Sequence, residues 1–238
     1  MIRALFLDLD DTLCDANSAW NRAVSETFQT LLDAHPRVQP TALSQAWDRV
    51  HQSLFQALAS GQMTMAAVRD IRFQRTLEEV GIYDSSYATE LNTLLAQRQL
   101  TYLRLFEDVG CLESIGRGIH VGIITNGAGD THPDSQRTKI EHLGLCQQVD
   151  SVWISDEVGY RKPDTRIFEL ACATAGILPQ EAAFVGDSVS NDIRGSNRAG
   201  MISVLIDRAG QVSHHGNADE TPTYKVRSLF EISTVLKG

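Results

Sequence analysis

The chain has 238 residues, 42% of them hydrophobic and 21% charged. That composition is globular, excludes collagen, coiled coil and disorder, and allows a full core without disulfides or structural metals. Lys and Arg number 21 against 30 Asp and Glu, a formal net charge of −9. A phosphate backbone calls for a basic surface, so no nucleic-acid partner is expected, while a small phosphorylated ligand, which meets only its own site, stays open. Cys14, Cys111, Cys146 and Cys172 form no CxxC pair and read as reduced thiols of a cytoplasmic protein. The apolar run Ala4 to Leu7 is cut by Asp8, far short of a signal sequence. No stretch reaches transmembrane length, so no membrane partner is expected.

In chain order, Ile2 to Leu7 is a short apolar run ending in acid, the pattern of a buried parallel strand. From about Asp15 to Ala96 apolar residues recur at helical spacing. Trp20, Ala23, Val24, Thr27, Phe28, Leu31 and Leu32 form one set, and Leu43, Ala46, Trp47, Val50, Leu54 and Leu58 another. Val68, Ile71, Leu77 and Val80, then Leu91, Leu94 and Leu95, complete a bundle of about four helices. Strands then alternate with helices: His120 to Thr125, Val152 to Ile154, Ala182 to Gly186 and Ile202 to Ile206 as strands, with Asp134 to Leu143, Thr165 to Ala175 and Asn191 to Ala199 as helices. Val226 to Leu236 reads as a final helix. Alternation of this kind predicts an α/β fold with a Rossmann-like parallel sheet, residues 1–14 and 97–238, interrupted by an all-helical insertion, residues 15–96.

Ligands of such sheets sit at the carboxyl ends of the strands, where strand order reverses. Four segments carry polar groups to that edge: Asp8 to Thr12, Thr125 to Gly127, the loop Arg161 to Asp164, and Gly186 to Ser188 with Asn191 and Asp192 just beyond. Any one of them is ordinarily a helix cap or a turn. Together they gather three or four carboxylates with one Lys and one Thr. Like charges at 4 Å cost about 4 kcal/mol per pair at an effective dielectric near 20, a cost met where a cation neutralises the cluster. Oxygen donors without His or Cys select a hard cation, magnesium. Asp8 and Asp187 are the expected direct ligands, the main-chain carbonyl of Asp10 a third, and Asp192 a second-layer or water-mediated one.

The residues DLDDT (Asp8–Thr12), ITNG (Ile124–Gly127), Lys162 within GYRKPDTRIF, and GDSVSND (Gly186–Asp192) resemble the four ordered motifs of the haloacid dehalogenase-like hydrolases. The resemblance covers nearly the whole chain, and the helical insertion resembles the family's cap domain. PTYKVRSLFEI near the C-terminus is similar to the subgroup of pyrimidine nucleotidases and N-acylneuraminate phosphatases. The resemblance implies a magnesium-dependent phosphomonoesterase acting on a nucleoside monophosphate or sugar phosphate. It implies Asp8 as nucleophile, Asp10 as general acid and then base, and Thr125, Asn126 and Lys162 as phosphate-binding residues. Family dehalogenases lack an acid at the position of Asp10, since a halide leaves without a proton, so phosphate chemistry is preferred. A phosphomutase, a 2-haloacid dehalogenase and a phosphoacceptor signalling domain are the alternatives.

Weaker signals have bland rivals. Asp11 is read as solvated or capping, Thr12 as a hydrogen-bonding support of the Asp8 loop, and Ser188 as a turn hydroxyl. Asn191 either orients Lys162 or Asp192 or caps a helix. Cys14 is read as a buried thiol, and His214–His215 lack a third ligand for a metal site. In the insertion, Trp20, Phe28, Trp47 and Phe55 are read mainly as core, and an Arg such as Arg22, Arg69 or Arg72 as a grip for a carboxylate or second phosphate.

Overall fold

A computed structural model of the chain describes residues 1–211 and 217–236; His214 and His215 lie outside the described residues. Six strands form one all-parallel sheet in the order β3-β2-β1-β4-β5-β6. They are β1 (Ala4–Leu7), β2 (His120–Thr125), β3 (Ser151–Ile154), β4 (Ala182–Gly186), β5 (Ile202–Ile206) and β6 (Tyr224–Val226). Chain order runs outward to β3 on one side of β1 and to β6 on the other, so the reversal falls between β1 and β4. That is the switch point at which such sheets take their ligands.

The helices are α1 (Ala16–Ala34), α2 (Pro40–Ala59), α3 (Met65–Glu79), α4 (Ser85–Tyr102), α5 (Leu112–Ile115), α6 (Gln136–His142), α7 (Ser155–Val158), α8 (Thr165–Thr174), α9 (Arg194–Ala199) and α10 (Ile232–Val235). Their starts follow local chemistry. Pro40 opens α2, where its fixed φ and missing N–H cost nothing. Thr64, Ser135 and Asp164 each accept a backbone N–H of the helix that follows, satisfying donors that otherwise lack a partner.

The chain divides into two compact units. One comprises residues 1–17, 103–131 and 135–238, and holds the sheet. Every residue of β1 is buried, which is why that run is continuously apolar rather than alternating. Phe6, Ile124, Trp153, Ile167, Phe168 and Phe184 belong to one core cluster, with Phe168 and Phe184 edge-to-face at 5.0 Å, a favoured aromatic geometry. The other unit comprises residues 18–102 with 132–134. Its core joins Leu31, Leu43, Trp47, Phe73, Leu77 and Leu91. Trp20 and Phe28 pack partly buried against that cluster, whereas Phe55 is 43% exposed.

Two expected helices differ. The segment read as a helix from Val226 to Leu236 begins as a strand, with Val226 pairing to Ile206. Ser228 then caps a new turn by accepting from Phe230 N at 3.2 Å. Val226, Leu229, Ile232 and Val235 are all buried; their spacing of three imitates one helix across a break. The helix expected from Asn191 opens earlier, as a wide π-type turn over Val189–Ile193 that passes into α9. Insertions of this kind recur at functional sites.

Candidate active site

Strand geometry carries the site. Asp8 directly follows β1, its N–H donating to Val185 O at 2.9 Å, so it stands at the carboxyl edge beside the end of β4. Thr125 ends β2, and Asp187 follows β4. Lys162 arrives on the loop before α8, and Asp192 on the wide turn after β4. A pocket of about 250 Å³ in the sheet unit is lined by Asp8, Asp10, Thr125, Lys162, Asp187 and Asp192, among others. The structure thus brings together in one pocket Asp8, Asp10, Thr125, Asn126, Lys162, Asp187 and Asp192, the residues expected to act, while Thr12 of the first motif does not line it.

Lys162 is the hub. Its Nζ lies 2.6 Å from Asp8 Oδ1 and 2.7 Å from Asp192 Oδ1, and the residue is only 3% exposed. Burial works against its charge, but the carboxylates of Asp192 and Asp8 outweigh it and hold the ammonium pKa above its ordinary value. Asn126 fixes the backbone there: its Nδ2 donates to Lys162 O at 3.0 Å and its Oδ1 accepts Lys162 N–H at 2.8 Å. The side chain of Asn126 is therefore committed to the Lys162 loop, the orienting task that the sequence had offered to Asn191.

Asp8, Asp187 and Asp192 each place a carboxylate oxygen within 4.8 Å of the other two. Asp192 is 1% exposed; its Oδ2 accepts Ser188 N–H at 3.0 Å while Oδ1 faces Lys162. Gly186 permits this approach, because a Cβ there would lie 2.3 Å from Asp192 Oδ2. Burial pushes Asp8 up to about 7 against the opposing pull of Lys162, with Asp192 adding to the rise. Burial, reinforced by Asp8 and Asp192, pushes Asp187 up to about 8. Three acids facing one ammonium leave unmet negative charge. All-oxygen donors at this spacing suit a hard divalent cation, and no His or Cys belongs to the trio.

The Asp10 carboxylate turns elsewhere. Lys139 Nζ lies 3.0 and 2.9 Å from its two oxygens, and Gln136 Nε2 donates to Oδ2 at 3.0 Å. Gln136 also donates to Thr125 Oγ1 at 2.7 Å and to Asn126 O at 3.1 Å. Gly127, at φ 147°, leaves the room: a Cβ there would meet Gln136 Cγ at 2.7 Å. The sequence reading missed Gln136 and Lys139. The available signal was a polar pair three apart on a helix that follows Thr125–Gly127 by about two turns' length of loop.

The weaker signals resolve locally. Asp11, at φ 58°, accepts Asn17 N–H at 2.9 Å, a capping contact at the start of α1. The Thr12 hydroxyl is buried without a hydrogen-bond partner, so it does not support the Asp8 loop as expected; the Thr12 carbonyl instead accepts from Arg208 Nη2 at 2.7 Å. Cys14 is a buried thiol whose Sγ donates to Leu9 O at 3.5 Å, and burial raises its pKa. Arg69 and Arg72 do grip a carboxylate, but an internal one, Asp134, at 3.3 and 3.4 Å. Arg22 pairs with Glu26 at 3.2 Å.

The chain matches the haloacid dehalogenase-like hydrolase family over residues 2–200, and it belongs to that family. It is an enzyme of the hydrolase class. It is 31% identical to phosphoserine phosphatase from Thermus thermophilus over 97% of this chain and 98% of that protein. It is 27% identical to N-acylneuraminate-9-phosphatase from Mus musculus, over 100% and 94%. Among solved structures it resembles the putative HAD-hydrolase YfnB of Bacillus subtilis bound to magnesium, with TM-score 0.75, 22% identity, and coverage of 100% and 99%. It also resembles a 2-haloacid dehalogenase from Pseudomonas syringae, with TM-score 0.72, 27% identity, and coverage of 100% and 99%. No described helix is long and apolar enough to cross a membrane.

Proposed function

We propose that this chain is a magnesium-dependent phosphomonoesterase that hydrolyses a small phosphorylated metabolite, a nucleoside monophosphate or sugar phosphate, through an aspartyl-phosphate on Asp8. Residues 1–14 and 97–238 carry the chemistry, and the helical insertion, 15–96, selects the substrate. The observation that carries this reading is the pairing of two acids in one pocket: Asp8, buried against Lys162 at 2.6 Å, and Asp10 two residues on. A halide leaves without a proton, so a dehalogenase has no use for the second acid; an alkoxide does.

In the first step an Asp8 oxygen attacks phosphorus, the bond to the leaving oxygen breaks, and Asp10 gives that oxygen its proton. In the second, water attacks the phosphorus of the acyl phosphate, Asp10 takes the proton, and Asp8 leaves as a carboxylate with inorganic phosphate released. Lys162, Thr125 and the Asn126 N–H are assigned to the phosphoryl oxygens. Asp8, Asp187 and the Asp10 carbonyl would hold the cation, with Asp192, whose two oxygens already have partners, holding it indirectly. Bound there, magnesium would offset the charge that gathers on the phosphoryl group.

Phosphate release measured over a broad metabolite panel tests this. Magnesium should support turnover and excess EDTA abolish it. Asp10→Asn should cut kcat on an alkyl phosphate by about 10²- to 10⁴-fold. No phosphate from any compound with magnesium present, or faster halide release from 2-chloropropionate, would overturn the reading.

A further inference from the structure

α6 delivers to Asp10 two side chains that the scheme above leaves without a task. Gln136 and Lys139 are three apart and share a face of the helix, whose start is fixed by Ser135 Oγ accepting Thr138 N–H at 3.1 Å. Both are buried, 4% and 6% exposed. A lysine is seldom buried unless paired, and desolvating an ammonium costs several kcal/mol, whereas an apolar residue of similar length would fill the same space. The ammonium meets both Asp10 oxygens, and Gln136 meets one of them. Donors on one helix that engage both oxygens set the plane of the carboxyl, because rotating it breaks at least one contact.

We propose that Lys139, with Gln136 beside it, is the positioning residue for the proton-transferring carboxyl of Asp10. It acts on departure of the leaving group through that carboxyl, without touching phosphate. The inference rests on the roles of Asp8 and Asp10 given above. As the bond from phosphorus to the leaving oxygen breaks and the bond to Asp8 forms, the Asp10 proton must pass to that oxygen. A misplaced carboxyl leaves an alkoxide to depart unprotonated, which is slow. A nitrophenolate departs without the proton, so the first step on a nitrophenyl ester is indifferent to the placement.

The test is therefore leaving-group dependence in the full-length, magnesium-supplied enzyme, with 4-nitrophenyl phosphate and benzyl phosphate as probes. Lys139→Met keeps the methylene stem and removes the donor. In a single turnover its rate of leaving-group release from benzyl phosphate should fall about 100-fold, and from 4-nitrophenyl phosphate no more than about threefold. A single turnover isolates the first step from hydrolysis of the Asp8 acyl phosphate, which uses Asp10 as base whatever the leaving group. Inhibition by inorganic phosphate should stay unchanged. Lys139→Arg should restore most of the benzyl phosphate rate. Gln136→Met also releases Thr125 Oγ1 and Asn126 O, a loss common to both probes, so the ratio of the two rates should show the same selectivity in weaker form, which decides the matter even if Lys139→Met fails to fold. Equal losses on both probes, or no loss on benzyl phosphate, overturn the positioning role alone. A wild-type enzyme that hydrolyses neither probe overturns the phosphatase reading, and this inference with it.

Discussion

Asp8 in the sheet unit and Asp134 in the helical unit are both buried carboxylates with a cation close by, and their surroundings drive them in opposite directions. Asp8 has Lys162 at 2.6 Å, yet burial and the neighbouring Asp192 leave its pKa raised to about 7. The Asp134 side chain is also held from solvent, 4% exposed, but burial is outweighed there by the hydrogen bond from His132 and the charges of Arg72 and Arg69, and its pKa falls below the ordinary value. His132 Nδ1 lies 2.7 Å away, Arg69 Nε 3.3 Å and Arg72 Nη2 3.4 Å. The difference is the company of other acids. The helical unit surrounds one carboxylate with cations and gains a strut. The sheet unit crowds three carboxylates around one ammonium and keeps unmet negative charge that a divalent cation would neutralise.

The largest expected effect comes from breaking the crowded side. Asp8→Asn removes the proposed nucleophile, and phosphate release should fall at least about 10⁴-fold. It also removes one of the mutually repelling acids, so the thermal midpoint should hold or rise, as active-site substitutions often show. An Asp8→Asn protein with more than a tenth of wild-type turnover would remove Asp8 from the mechanism.

Breaking the balanced side should do the reverse. Asp134→Ala leaves Arg69 and Arg72 buried without their shared counter-charge, and urea unfolding should report a loss of about 3–5 kcal/mol. Asp134→Asn keeps the hydrogen-bonding shape and should lose less. If the alanine variant matched wild type, the strut interpretation of the helical unit would fail.

The same contrast explains what the sequence made legible. β2, β4 and β5 run over His120–Thr125, Ala182–Gly186 and Ile202–Ile206, the spans read from apolar runs closed by Gly or polar residues. The strand-end acids were legible because a parallel sheet has one edge to which such residues converge. Gln136 and Lys139 were not, because a buried lysine and a solvated one look alike in a helical stretch. The partner of Arg69 and Arg72 was hidden for a related reason: the chain supplies Asp134 from 62 residues beyond Arg72, a distance no local pattern spans. Val226 misled because burial at every third residue continues across a strand, a cap and two short turns.

The smallest effect, a shift of a few degrees, sharpens the contrast most directly. Asp8 and Asp187 bind protons far more tightly in the folded chain, at about 7 and about 8, than at the ordinary 3.8. Between those limits the folded state holds extra protons, so these acids contribute stability fully below pH 4 and lose it as pH rises through about 7 to about 8. Asp134 behaves oppositely, contributing above its ordinary range and losing that contribution only in acid. His51, held down to about 4 mainly by burial, also contributes stability that is lost only as pH falls below its ordinary range. From pH 6.5 upward both are silent, and the metal-free protein should lose thermal stability toward pH 9. Magnesium requires the ionised acids and displaces their protons, so its stabilisation should grow over the same interval and cancel the loss. Asp187→Asn should flatten the metal-free slope and blunt the gain from magnesium. A magnesium-induced rise in Tm that is equal at pH 6.5 and pH 9 would mean that the crowded acids are not where the cation binds.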